Sequence, residues 1–449
     1  MIETETVFEG SLFDGKKIDT SVLVLTVSDC SNKHVVKRRG IVEARVNHDF
    51  EKSTVHSLKQ IISNVTVYDF LKRYVEAGVK RTNSEIIEIV RRESPEYVLW
   101  LSMTYELLES TFDEIRRAGS KMIGWFFDDE CRFDNYSKWW IPHLDFILTV
   151  DRLSAKKYRK LGGNGMFFLN FSNPEYFQRL CLPELYDASF VGTNIANRQE
   201  FVDALKNSGI QVETFGRGWR NNYISFDEMV NIYNQSKINL CFMQSYGNNS
   251  RPQMKCKIFD ICMCGGFMLC EYIPGIEEYY EIGKEIVCFH DIADAQKKVE
   301  HYLRNENARK QIADAGFKRA ARNHSSQARF FNLFHALQRE KKITPPHGRI
   351  RDHKNLRLKK ARAPKNIKIL QSKFHLKWGK ALLLEDYGRK RWKDEIVIAL
   401  SYDQLNIEAW GCLFIGYSPG FLRGKMVKLL EIFLVVLGKI AGKSKLFWR

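Results

Sequence analysis

The stretch from Pro252 to Gly266 gathers the side chains in this chain best suited to chemistry. Pro252 fits the first turn of a helix, Asn249 or Ser250 could cap it, and the pattern predicts a helix to about Cys264. A helix N-terminus presents free N–H groups and a positive dipole end, which together hold a phosphate. Lys255 and Lys257 add cations in the first turns, and Asp260 follows as an acceptor for a diol. Gly265 and Gly266 allow a backbone to approach closely. Cations, helix end and carboxylate suit a nucleoside diphosphate with its ribose. An amphipathic helix with solvated lysines carries the same pattern.

Other candidates are more dispersed. Asp128 and Asp129 are adjacent carboxylates at a strand end, which suits a cleft wall or a helix cap better than a metal site. Gly192 ends another strand, with Arg198 close behind as a phosphate candidate. Arg217 and Trp219 follow a third strand, where a loop could meet a ligand or a Trp could anchor a core. His290 and His324 lack partners at metal or catalytic spacing and read as structural. Cys256, Cys262, Cys264 and Cys270 lack the Cys-x2-Cys knuckle of zinc ribbons and read as small core residues.

These residues are positioned by alternating strands and helices. Ser21 to Val27 is a continuous β-branched run of the kind a buried parallel strand needs. Further strands are predicted at Tyr97–Leu101, Lys121–Phe127 and within 143–150, with helices over 84–93 and 107–118. Turns containing Pro interrupt the pattern over 172–188. A second series then follows: strands at 188–191, 210–215, 237–242, 267–270 and 285–289, and helices over 199–208, 226–235, 291–315 and 325–338. Such alternation predicts an α/β protein of two Rossmann-like units, 1–180 and 181–340. Neither GxGxxG nor GxxxxGK[ST] stands at these strand–helix turns, which weighs against a dinucleotide or P-loop site.

The formal charge of +17 is not a property of those units. Residues 341–449 hold 25 Lys and Arg against 8 Asp and Glu, so the first 340 residues are neutral. This third region reads as a basic, mainly helical extension. It ends in an amphipathic helix over 424–442, suited to lying in an anionic membrane interface or to packing on the body. The N-terminus lacks a secretory pattern, and no apolar run is long enough to span a bilayer, so the expected place is cytoplasmic, peripheral at the inner membrane face.

The stretch from about Gly124 to Arg329 resembles the spore-maturation CgeB-like group of GT-B glycosyltransferases, similar in turn to retaining GT-B enzymes with an E-x7-E motif. The matching residues are Trp125 with Asp128-Asp129, Thr149-Val150-Asp151, Ser189-Phe190-Val191-Gly192, Phe215-Gly216 with Gly218-Trp219, Tyr233 to Leu240, Gln253 to Asp260, Cys264 to Phe267 and Gly283 to Val287. The resemblance implies two facing Rossmann-like domains, with donor residues mainly in the second. Asp260 stands at the second Glu of the motif, which binds the donor ribose, and Pro252 at the first. Lys255 and Lys257 stand at a Lys-x-Arg pair near the diphosphate. Asp128 and Asp129 would then meet acceptor hydroxyls.

The implied activity is sugar transfer from a UDP- or GDP-linked donor to a glycan or lipid-linked acceptor in cell-surface polysaccharide synthesis. The resemblance further implies that the transfer retains configuration and needs neither metal nor cofactor. The basic tail leaves open a nucleic-acid base glycosyltransferase of the phage type, and the departures at Asp260 and Pro252 leave open a non-catalytic binding protein with a decayed donor site.

Overall fold

In a computed structural model the described residues are 15–27, 54–102, 106–169, 171–222, 224–244, 252–343, 371–373, 375–376, 391–402, 409 and 412. They form two parallel sheets clothed by helices, the expected α/β architecture. The first sheet comprises β1 (Ile18–Thr26), β2 (Ile62–Asp69), β3 (Tyr97–Leu101), β4 (Lys121–Phe126), β5 (Phe146–Thr149) and β6 (Gly165–Phe167) in the order β2-β1-β3-β4-β5-β6. Its helices are α1 (His56–Ile61), α2 (Phe70–Glu93), α3 (Glu109–Arg117), the single turn α4 (Asp129–Arg132) and α5 (Arg152–Lys160). Leu23, Val24 and Leu25 are sealed on both faces, which explains the unbroken apolar run in β1.

The second sheet comprises β7 (Tyr186–Val191), β8 (Val212–Phe215), β9 (Ser236–Cys241), β10 (Met268–Glu271) and β11 (Val287–Phe289) in the order β11-β10-β9-β7-β8. Around it lie α6 (Arg198–Asn207), α7 (Phe226–Gln235), α8 (Lys257–Met263), α9 (Ile292–Arg304) and α10 (Glu306–Asn323). Ser225 and Glu228 close a reciprocal capping box at the start of α7, which fixes where that helix begins. Both sheets wind alike: the first strand's neighbours are the second and the third, so the order reverses beside β1 in one unit and beside β7 in the other. Ligands of such sheets lie beyond the carboxyl ends of the strands at that reversal.

Helix α2 begins at Phe70, well before the expected 84, and three further differences bear on the site. The helix expected from Pro252 starts only at Lys257. The Gln253 N–H donates to the Met243 carbonyl (2.8 Å), which holds this segment beside the exit of β9. The helix expected over 291–315 is broken at Asn305, which ends α9 and begins α10.

The third difference is the boundary at 340. Helix α11 (Ser326–Ile343) leaves the second unit and packs on the first sheet. There Phe330, Phe334 and Leu337 share a core with Tyr97, Leu99, Trp125 and Phe168. The outgoing and returning strands of chain lie side by side, with Ser172 N donating to the His324 carbonyl and Ser326 N to the Ser172 carbonyl. The unit built on the second sheet therefore ends before Ser326.

Part of the basic extension packs on the body. Helix α12 (Arg391–Tyr402) lies against α2 near its kink at Gly78, where Ile398 joins Tyr74, Val79 and Leu108. The expected terminal helix over 424–442 lies outside the described residues.

Candidate functional site

The reversal point of the second sheet is bounded by the exits of β7 and β9. Lys257, the first residue of α8, points there and donates from Nζ to the Val191 carbonyl, its ammonium 5.0 Å from the centre of the Phe190 ring. Burial and the Arg198 charge pull its pKa down from 10.5 to about 8. Arg198, the first residue of α6, is 5% exposed and stacks over Phe190 and Phe242 at 5.2 and 5.8 Å. Its Nη1 donates to the Thr193 carbonyl (2.7 Å) and its Nη2 to the Gln244 carbonyl (2.8 Å). The structure thus brings Lys257 and Arg198 together as expected, but turns the Arg198 guanidinium onto main-chain carbonyls.

Glycine is required where these loops meet. A Cβ on Gly192 would strike the Lys257 ammonium and lie 2.8 Å from the Phe190 ring. A Cβ on Gly216 would lie 2.5 Å from the Gly192 carbonyl oxygen, at a φ of +117°. Trp219 fastens the same turn: its indole N–H donates to the Gly192 carbonyl (2.8 Å), and the ring is 9% exposed. Trp219 is both core anchor and loop fastener. Arg217 contributes its carbonyl to the Asn194 N–H (2.7 Å).

Lys255 stands on the extended segment before α8 and donates to the Gln253 side-chain oxygen (2.5 Å). Gln253 in turn donates to Glu130 Oε2 of the first unit (3.1 Å). Burial lowers the pKa of Lys255, and the neighbouring carboxylates of Asp128 and Glu130 oppose that shift. Glu130 is a contact that sequence reasoning missed. Its one signal was membership of the acidic run after β4, shared with two other carboxylates.

The paired carboxylates part company. Asp128 is exposed, in a left-handed conformation at φ 58°, ψ 30°, before the single turn α4. Asp129 is 1% exposed and accepts from the Tyr158 hydroxyl (2.9 Å). Burial raises its pKa, and the hydrogen bond from the Tyr158 hydroxyl opposes that shift. Asp129 therefore fastens α4 to α5, and only Asp128 of the pair is open to a ligand.

Asp260 is likewise sealed, at 1% exposure in the first turn of α8, with Tyr233 in its field. Gly265 is the left-handed residue after α8, and a Cβ there would lie 2.8 Å from Arg179. A Cβ on Gly266 would lie 2.7 Å from Asn239 Nδ2. Both glycines make room for neighbouring protein groups. His324 is buried, bonded to the Tyr279 carbonyl and to Arg329, and its pKa falls to about 3 through burial and the Arg329 charge. Among the described residues no cluster of His, Cys, Asp or Glu has the makings of a metal site.

Comparison with known proteins identifies the class of the second unit. Residues 198–335 match the family model described as "Glycosyl transferase-like". The enzyme class this assigns is that of a glycosyltransferase, and the match spans α6 to α11, the part of the chain that holds Arg198, Lys255 and Lys257.

Among solved structures, the chain is similar to Anabaena Alr3699/HepE in complex with UDP and glucose: 9% identity, 71% of this chain, 100% of that chain, TM-score 0.46. It is similar to a glycosyltransferase from Rickettsia africae at 12% identity, covering 72% and 98% of the two chains with a TM-score of 0.44. Sucrose-phosphate synthase from Thermosynechococcus elongatus is similar at 8% identity, 72% and 100% coverage and a TM-score of 0.43. No curated protein matches the sequence.

Proposed function

We propose that this protein transfers a sugar from a nucleoside-diphosphate donor to a glycan or lipid-linked acceptor, with the diphosphate at the reversal point of the second sheet. One observation carries the reading. Two cations, Lys257 and Arg198, converge beside the exits of β7 and β9, close enough for the Arg198 charge to lower the Lys257 pKa. Paired cations at the reversal point of a parallel sheet suit an anionic ligand, and a diphosphate is such a ligand.

The chemistry follows from the charges. The bond from the anomeric carbon to the diphosphate oxygen breaks, and the nucleoside diphosphate leaves with the electron pair. The acceptor hydroxyl oxygen forms the new bond, and its proton passes to a departing phosphate oxygen. Lys257 and Lys255 stabilise the charge that develops on the leaving group. Asp128, exposed and close enough for its charge to act on Lys255, accepts from acceptor hydroxyls. Retention of configuration and independence of metal complete this reading, supported by the motif order that resembles the CgeB-like enzymes. The charge of the basic extension supports a location at an anionic membrane surface, in cell-surface polysaccharide synthesis.

A thermal-shift and donor-hydrolysis screen of UDP- and GDP-sugars, with and without EDTA, tests the reaction. Stabilisation and hydrolysis by one donor class are expected, and no response to any nucleotide sugar would refute the reading. Flotation of the full chain with anionic and neutral vesicles tests the location. Equal, salt-insensitive flotation would remove the membrane part.

A further inference from the structure

Arg198 sits where the charge of a phosphate ligand would be useful, yet its fork is occupied by two carbonyls from two different loops. Thr193 belongs to the turn after β7, and Gln244 to the segment after β9 that leads on to Lys255 and Lys257. These loops flank the reversal point. The turn after β7 is held from its other side as well, by the Trp219 indole on the Gly192 carbonyl and by the Asn194 N–H on the Arg217 carbonyl. It contains Ala196 at φ +55°, a conformation an alanine keeps only where its surroundings impose it.

The guanidinium is itself immobilised, stacked over Phe190 and Phe242, whose rings meet edge-on at 4.9 Å. A planar fork with fixed donor directions can span two carbonyls; a lysine carries the same charge as a point on a shorter reach. We infer that Arg198 is a positioning residue, a clasp that sets the opening between the loops after β7 and β9 and so presents Lys257 and Lys255 at the spacing a donor diphosphate requires. This rests on the donor reading above. It differs from that reading in giving Arg198 no contact with the phosphates.

The clasp has a distinct kinetic signature. Without it the loops separate, the donor is bound loosely, and a bound donor still meets the same leaving-group cations. Variants R198K and R198Q of the full chain keep one or neither part of the fork and fill the same channel between the rings. Titration with UDP and with GDP by calorimetry should show at least a tenfold weaker nucleotide for both variants than for the wild type. In turnover with the donor found by the screen, KM for the donor should rise by a similar factor while kcat changes less than threefold. In R198A, millimolar guanidinium should restore part of the affinity, because the free ion can occupy the stacked slot; it should not restore K257M. Circular dichroism and melting curves identify any variant that fails to fold, and R198Q then stands in for R198A.

Wild-type affinity in both R198K and R198Q overturns the clasp and leaves the donor site standing. A loss confined to kcat overturns it too, since that assigns Arg198 to the leaving group. If neither UDP nor GDP binds the wild type, the donor reading falls and the clasp with it.

Discussion

Replacing Lys257 by methionine should move stability and ligand affinity in opposite directions. The ammonium is held beside Phe190 on a carbonyl, and its pKa lies at about 8 instead of 10.5. Each pKa unit corresponds to about 1.4 kcal/mol, so the charge burdens the empty protein by about 3 kcal/mol at pH 7. Methionine has a similar stem and no charge, and K257M should melt higher than the wild type at neutral pH. The pH dependence has a definite sign. Below pH 8 the lysine is protonated in both folded and unfolded chains, and the full penalty is present. Between pH 8 and 10.5 the folded chain has released the proton and the unfolded chain has kept it, so wild-type stability climbs toward that of the variant. The difference should vanish near pH 10.5. Nucleotide binding should suffer, because a charged hydrogen bond to phosphate contributes about 1.5–3 kcal/mol, or about 10–150-fold in affinity. Melting curves from pH 7 to 10.5 and UDP calorimetry at pH 7 measure both effects. A K257M protein that melts lower than wild type at pH 7, or binds UDP as tightly, would refute the reasoning.

Three further expectations follow from the packing. G216A should lose about 1–3 kcal/mol, since alanine must adopt a positive φ and press on the Gly192 carbonyl; chemical denaturation and UDP titration should decline together. D129N should melt higher than the wild type at pH 7, because burial raises the Asp129 pKa above 3.8 and its charge is unfavourable once pH passes the folded value; the two proteins should converge as pH falls below 3.8. I396A should destabilise the first unit by about 2–4 kcal/mol, as its side chain is fully buried in α12, and hydrogen exchange should quicken in α2, against which α12 packs.

Most strands were legible because their residues carry the signal themselves, as the β-branched run of β1 does, whereas β2 and β6 were not among the predicted strands. The donor segment was legible in composition and misleading in geometry. Nothing local in Pro252 to Lys255 reveals that Met243 takes the Gln253 N–H and holds this segment beside the exit of β9, or that the helix starts only at Lys257. The fates of Asp128 and Asp129 were hidden for a related reason. Whether one of two adjacent carboxylates is buried depends on Tyr158, a residue of α5 far along the chain. Arg198 was found for its charge, but its work depends on carbonyls, which a sequence does not display.

The return of α11 to the first sheet has a consequence for the order of events on the ribosome. Tyr97, Leu99, Trp125 and Phe168 emerge well before Phe330, Phe334 and Leu337, which complete their core. At about 5–20 residues per second the interval is on the order of tens of seconds. The second unit, contiguous in the chain, can close on its own during that time, while its host waits with one apolar face uncovered. The unit built on the second sheet can therefore complete its core during synthesis before the unit built on the first, which needs α11.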